Sequence, residues 1–423
     1  MNARRIWAIF LTICSAGVAA LSGSSRALAD QSGSFVEPVT VLRTFSDQAG
    51  RSYYGWAVSE LADVDNDGVS EVITGAPYIN TRAGTVDVWS GGTGDLLFSA
   101  SGAPGDWLSY AVADAGDVDG DGKHDVIAGA PNNGAGAALV LSGEDGHQIT
   151  TLHGEAAGDR FGSAVARAGD VNNDGRADLL VGAPRNDAAG LDAGRSYVLS
   201  GADFTPIHIL NGDRAGDFFG TGTDCTQDVD GDGVPDQIVG ARHAGPTRAG
   251  QVSVFSGASG GRIWVADAEP TGLDLGYFFV AGVGDVNGDG TPDIYGADFN
   301  DSAGAGRGYA FDGVDGHVLW EVAGGPGDGL GPGREAGDVD GDGLPDLIIG
   351  SYLASYGAPK AGRATIFRGL NGSVLRTMTS TKGSENFGFD AVSLGDVNGD
   401  GIPDEVVSAA TRNTLYVIAG VRP

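Results

Sequence analysis

Nine residues running from Asp63 to Glu71, Asp-Val-Asp-Asn-Asp-Gly-Val-Ser-Glu, recur in closely related form from Asp117, Asp170, Asp228, Asp285, Asp338 and Asp396. Successive copies start 54, 53, 58, 57, 53 and 58 residues apart. Spacing this regular marks a repeat architecture, in which each unit leaves an apolar face that only its neighbour can cover. Seven copies therefore predict seven packed units.

Each copy reads as a cation loop with oxygen-bearing side chains at positions 1, 3, 5 and 9. These are Asp63, Asp65, Asp67 and Glu71; Asp117, Asp119, Asp121 and Asp125; Asp170, Asn172, Asp174 and Asp178; Asp228, Asp230, Asp232 and Asp236; Asp285, Asn287, Asp289 and Asp293; Asp338, Asp340, Asp342 and Asp346; and Asp396, Asn398, Asp400 and Asp404. Alternate residues of a tight loop can turn their oxygens toward one centre, and a hard divalent cation takes roughly six to eight oxygens in flexible geometry. Calcium in up to seven sites is the expected cofactor, with position 7 adding a backbone carbonyl.

Position 6 is glycine in every copy and position 4 is Asn or Gly, residues that accept positive φ in a sharp turn. Position 2 is always valine (Val64, Val118, Val171, Val229, Val286, Val339, Val397) and is expected to point away from the ion into apolar packing. An EF-hand opens in the same way but needs a bidentate glutamate at position 12 and flanking helices. Position 12 here is Thr74, Ala128, Val181, Val239, Gly296, Ile349 and Val407. Apolar runs such as Leu179-Leu180-Val181 follow the last acidic residue at once, which suits buried strands. One Asp-Gly stretch alone reads equally as a solvated turn, but seven in register do not.

The charge balance fits this reading. The chain carries 56 acidic against 25 basic residues, a formal net charge of −31, which in an unpatterned sequence would suggest self-repulsion or disorder. Of the acidic residues, 25 stand at loop positions 1, 3, 5 and 9, so the aspartate excess is mainly metal chemistry. With 74 glycines and 41% hydrophobic residues in short, regular runs, the composition fits many short strands joined by tight turns, with little helix. No basic cluster appears, which argues against a nucleic-acid partner.

Residues 1–29 read as a cleavable export signal: Arg4 and Arg5, an apolar run from Ile6 to Leu21, and Ala27-Leu28-Ala29 before the predicted cut. The small-residue cleavage pattern argues against the alternative of a retained membrane anchor. Residues 30–34 read as a short leader and 35–421 as the repeat domain. Cleavage leaves 22 basic residues and a charge of −34, which seven divalent ions would reduce to −20. Cys14 leaves with the signal, so Cys225 has no internal disulfide partner. It is expected to be a small buried strand residue, with an intermolecular bridge as the other option.

In order along the chain, each unit reads as four strands with the cation loop between the first two. The third shows it most clearly: Phe161 to Val165, the loop, Leu179 to Pro184, Gly194 to Gly201, then Ile207 to Leu210. Phe161-Gly162 and Gly182-Ala183-Pro184, bracketing the loop, resemble the FG-GAP repeat of the integrin α-subunit N-terminal domain. That resemblance implies an all-β fold, a seven-bladed β-propeller of four-stranded antiparallel blades. Phe-Gly recurs only at Phe219 and Phe387, with Tyr54-Gly55 close to it, and Gly-Ala-Pro only at Gly75 and Gly129. The seventh unit offers three strands, while Val39 to Phe45 matches the fourth strand of other units. The N-terminal strand is therefore expected to complete the last blade and close the ring.

This connectivity puts all seven cation loops on one face, where affinities on the order of 10⁻⁴ to 10⁻³ M are expected by analogy with extracellular modules. The resemblance to the integrin family places partner contacts on the opposite face. There the longer connections carry Trp107, Phe299, Tyr352, Tyr356, Arg82, Arg185, Arg242 and Arg248, residue types enriched at binding hot spots. The six histidines show no metal spacing: His147 and His317 occupy equivalent Asp-Gly-His turns, and His124 lies inside a loop. No nucleophile and base stand in evident relation, and the expected function is an exported, monomeric binding or adhesion module for an extracellular protein or glycan. A lectin or a polysaccharide-cleaving propeller are the alternatives.

Overall fold

The computed structural model describes residues 33–47 and 53–423. The signal segment 1–29, Cys14 and residues 30–32 lie outside the described residues. The described residues form seven four-stranded antiparallel sheets, with helix limited to Ile79–Arg82, Asp301–Gly304 and a 3-10 turn at Ala410–Arg412. The fold is a seven-bladed β-propeller.

Blade 3 shows the unit: Ala164–Gly169, Asp178–Ala183, Arg195–Leu199 and Pro206–Asn211, each strand paired with the next. The second strand is buried along its whole length, as its unbroken apolar run predicts. The first strands of successive blades face one another around the ring, and Val58–Leu61 of blade 1 meets Phe387–Gly395 of blade 7 to complete it.

The core lies between blades. One cluster joins Leu61, Ile73 and Val88 of blade 1 to Leu108, Val112 and Val126 of blade 2. Each such buried side chain contributes about 1.5–3 kcal/mol. No blade could hold this area dry alone, which is the physical content of the repeat.

The bracketing motifs form the seam between blades. The glycine that opens Gly-Ala-Pro in one blade lies against the glycine of Phe-Gly in the next. A Cβ on Gly129 would stand 2.0 Å from Gly162 O, one on Gly182 2.2 Å from Gly220 O, and one on Gly350 1.9 Å from Gly388 O. Where Phe-Gly was absent from the sequence, Leu108, Leu275 and Leu330 fill the phenylalanine's place and make the same bridge to the preceding blade. Ser109 replaces the glycine there and satisfies the backbone with its own hydroxyl, donating to Thr85 O at 2.7 Å. Replacing Gly182 or Gly350 by alanine should cost about 2–4 kcal/mol in denaturant unfolding. Gly383→Ala, where the nearest atom would be 3.6 Å away, should be neutral.

Ring closure is as the sequence predicts. Strand Val41–Ser46 pairs antiparallel with Thr414–Ile418, in the sheet that also holds Asp404–Ala409 and Phe387–Gly395. Phe45 is buried, and Phe35 packs edge-on against Phe387 and Tyr416 with centroids 5.2 and 5.8 Å apart.

Candidate metal loops and the opposite mouth

All seven loops adopt one conformation. The position-6 N–H donates to an oxygen of the position-1 aspartate, as Gly68 does to Asp63 Oδ2 at 2.9 Å and Gly401 to Asp396 Oδ2 at 2.7 Å. The position-5 N–H donates to the side chain at position 3, as Asp121 does to Asp119 Oδ1 at 3.0 Å. The position-7 N–H donates to position 5, as Val234 does to Asp232 Oδ1 at 2.9 Å. Glycine or asparagine at position 4 is required where φ is positive, as at Asn66 (64°) and Gly231 (79°). In the four loops with aspartate at position 3, the carboxylates of positions 1, 3 and 9 bring oxygens within 4.8 Å of one another. In the first, second and fourth loops the donor set fits a hard divalent cation, whereas in the sixth a guanidinium already stands on the position-3 carboxylate.

Position 9 has a second duty. Asp125 Oδ2 accepts from Val118 N at 2.9 Å while Oδ1 accepts from Gly143 N at 3.1 Å, and Gly143 belongs to the turn between strands 3 and 4. The same pair of bonds holds Asp178, Asp236, Asp293, Asp346 and Asp404. The carboxylate thus ties the cation loop to its neighbouring turn. The position-2 valines are packed as expected, with Val118 near Gly201 of the next blade. Proline at position 8 packs on the glycine before the preceding loop in three blades, since a Cβ on Gly169 would stand 2.7 Å from the Pro235 ring, one on Gly337 2.8 Å from Pro403 and one on Gly284 3.1 Å from Pro345.

Burial pushes the position-9 acids up against these N–H donors, Glu71 to about 7 and Asp125, Asp236, Asp293 and Asp346 to about 6. A buried carboxylate that resists ionising is a site that gains from a positive charge.

The opposite face surrounds the mouth of a central cavity of about 650 Å3. Of the residues singled out by sequence, Phe299 and Tyr352 line it, and Trp107 stacks on Tyr110 at its edge (6.1 Å). Arg242 lies between Phe218 and Tyr277, 4.6 and 4.5 Å from the ring centroids, with Arg185 near Phe218 at 6.0 Å. Tyr356 stands apart, bonded to Asp328 Oδ2 at 2.7 Å, and Arg248 is tied to Asp217 at 2.9 Å. Those two are structural latches.

Sequence reasoning missed most of the mouth. Trp56, Tyr110, Tyr277, Phe278 and Phe389 join the belt, with centroid separations between 4.0 and 5.8 Å for Tyr277–Phe278, Trp56–Phe389, Trp56–Tyr110 and Tyr110–Phe278. Deeper down, the first strands turn Glu60, Asp114, Asp224, Glu335 and Asp390 inward together with Arg167 and Arg334. Cys225 ends its strand half-buried on this wall, its thiol pushed up to about 12 by burial and then by Asp224. The histidines of the Asp-Gly-His turns bond their own aspartates, His147 to Asp145 and His317 to Asp315, each at 2.7 Å.

The model of the FG-GAP repeat matches residues 110–141 and 161–199, and that of the FG-GAP-like repeat matches 285–349 and 338–407. FG-GAP repeats are thus present in both halves of the chain. Among curated proteins this chain is similar to integrin alpha-V of Gallus gallus, 32% identical over 209 residues, 45% of this chain and 20% of that one. It is likewise similar to integrin alpha-IIb of Mus musculus, 36% identical over 206 residues, 44% of this chain and 20% of that subunit. The match spans about a fifth of the length of these relatives. Among solved structures, the rhamnogalacturonan lyase YesW aligns with 90% of this chain and 73% of its own, at TM-score 0.49 and 15% identity. Among the described residues, no helix is long and apolar enough to cross a membrane.

Proposed function

We propose that this chain is an exported, monomeric calcium-binding propeller that captures an extracellular protein or glycan at the mouth opposite its cation loops. Calcium stiffens one face, and the other presents the ligand site. The observation that carries the reading is the continuous aromatic belt from Trp107 through Tyr110 and Phe278 to Tyr277 and Arg242, set around a concave opening. Aromatic and arginine side chains grouped in this way supply large contact area at low entropic cost. Trp56 adds to it, held by its indole N–H to Tyr110 O at 3.1 Å.

A glycan array and capture from extracellular extracts would identify the ligand class. Trp56→Ala and Tyr277→Ala should each weaken capture by about 30-fold, which corresponds to roughly 2 kcal/mol. Calcium uptake should be unchanged in both. Capture that survives both substitutions would move the site away from the mouth.

A further inference from the structure

We infer that the sixth cation loop already holds its positive charge, in the form of Arg368, and takes up no divalent ion where the other loops do. The inference rests on the calcium reading of the loops and separates one loop from the rest.

The residue that opens the turn between strands 3 and 4 lies against the cation loop of its own blade. It is serine in blades 1 to 4, then Asp312 and Arg368, while Ala419 holds the equivalent place after the third strand of blade 7, where no turn follows; each precedes the glycine that holds the position-9 carboxylate. In blade 1 the hydroxyl of Ser90 donates to Asp67 Oδ2 at 2.9 Å, and in blade 4 Ser256 donates to Asp232 Oδ2 at 3.3 Å. The turn residue therefore addresses the ligand carboxylates directly.

In blade 6 that place belongs to a guanidinium. Arg368 pairs with Asp340, and its Nε lies 4.0 Å from Asp342 Oδ2. These are positions 3 and 5 of the loop. The Asp340 side chain is only 6% exposed, so its carboxylate is shielded from water, while the Arg368 side chain that reaches it is 37% exposed. A calcium ion entering this loop would have to displace Arg368 from Asp340 and remain beside a like charge.

Blade 5 shows the opposite substitution. Asp312 adds a carboxylate at the same turn position and accepts from Asn287 Nδ2 at 3.2 Å, beside a loop whose position 3 is neutral. One turn position thus carries a neutral, a negative or a positive side chain, and sets the charge each loop offers a metal.

The test is the calcium count of the mature protein by native mass spectrometry at about 1 mM free calcium, a level at which extracellular-type sites fill. Arg368→Ser is the informative variant because serine stands there in four other blades, and Arg368→Lys keeps the charge. The expected counts are one more ion for Arg368→Ser than for the wild type, and no gain for Arg368→Lys. Equal non-zero counts for wild type and Arg368→Ser overturn the inference and leave the calcium reading standing. No calcium on any form overturns both. Trp320 locates the added ion, since its indole N–H donates to Gly369 O at 2.6 Å beside the loop. Terbium should gain tryptophan-sensitised luminescence in Arg368→Ser, and Trp320→Phe should remove that gain. A gain that persists places the ion elsewhere and overturns the assignment.

Discussion

Titrating calcium into chelator-treated protein is expected to raise its melting temperature by on the order of 10 to 20 °C. A site filled at a hundred times its dissociation constant adds about 2.7 kcal/mol, and several loops add together. Asp119→Ala and Asp232→Ala each remove a carboxylate from a four-carboxylate loop and should shrink the rise. The pH dependence reverses between the two forms. In the metal-free protein burial raises Glu71 to about 7 from 4.5 and Asp125, Asp236, Asp293 and Asp346 to about 6 from 3.8, and shifts Asp178 and Asp404 in the same direction. Between those limits the folded state binds more protons than the unfolded, so stability falls as pH rises from about 4 to 7. With calcium bound, protons compete with the ion for the same oxygens, and the melting temperature should instead fall as the pH drops below about 6. A melt indifferent to calcium would leave the aspartates as turn formers and make the acidic face itself the candidate site.

Deleting residues 35–46 should have an effect of similar size. It removes the strand paired with Thr414–Ile418 and the buried rings of Phe35 and Phe45, at about 1.5–3 kcal/mol for each ring alone. It also bares a sheet edge along the last blade, a template for pairing with another chain. The expected result is a melting temperature lower by more than about 10 °C together with concentration-dependent oligomers in sedimentation. A monomer with an unchanged melt would show that the ring closes without this strand.

The seven acidic loops and the blade count could be read from the sequence because their signals are local and repeated seven times. A nine-residue spacing of oxygens survives every substitution between blades. The inter-blade seam was half legible: the glycines were visible, but Leu108, Leu275 and Leu330 do not announce that they stand where phenylalanine stands elsewhere. The mouth was mostly hidden. Its residues come from separate blades, so Trp56, Tyr110, Tyr277 and Phe389 read singly as strand residues facing a core. Arg248 satisfied the same residue-type criterion as Arg242 and yet is tied to Asp217, a distinction only three-dimensional partners make. The signal at Arg368 was present all along in the series of turn residues, once the blades are aligned on the glycine that follows.

Closure by the N-terminal strand also fixes an order of events. The strand that leaves the ribosome first finds its partner strand last, and Tyr54 N reaches its acceptor on Asn413 across 359 residues. Until that partner arrives, a chain caught partway through synthesis is an open arc with an unsatisfied edge at each end, the kind of intermediate that folds slowly and invites aggregation. Its exposure to chaperones and proteases is set by the time needed to deliver the whole chain.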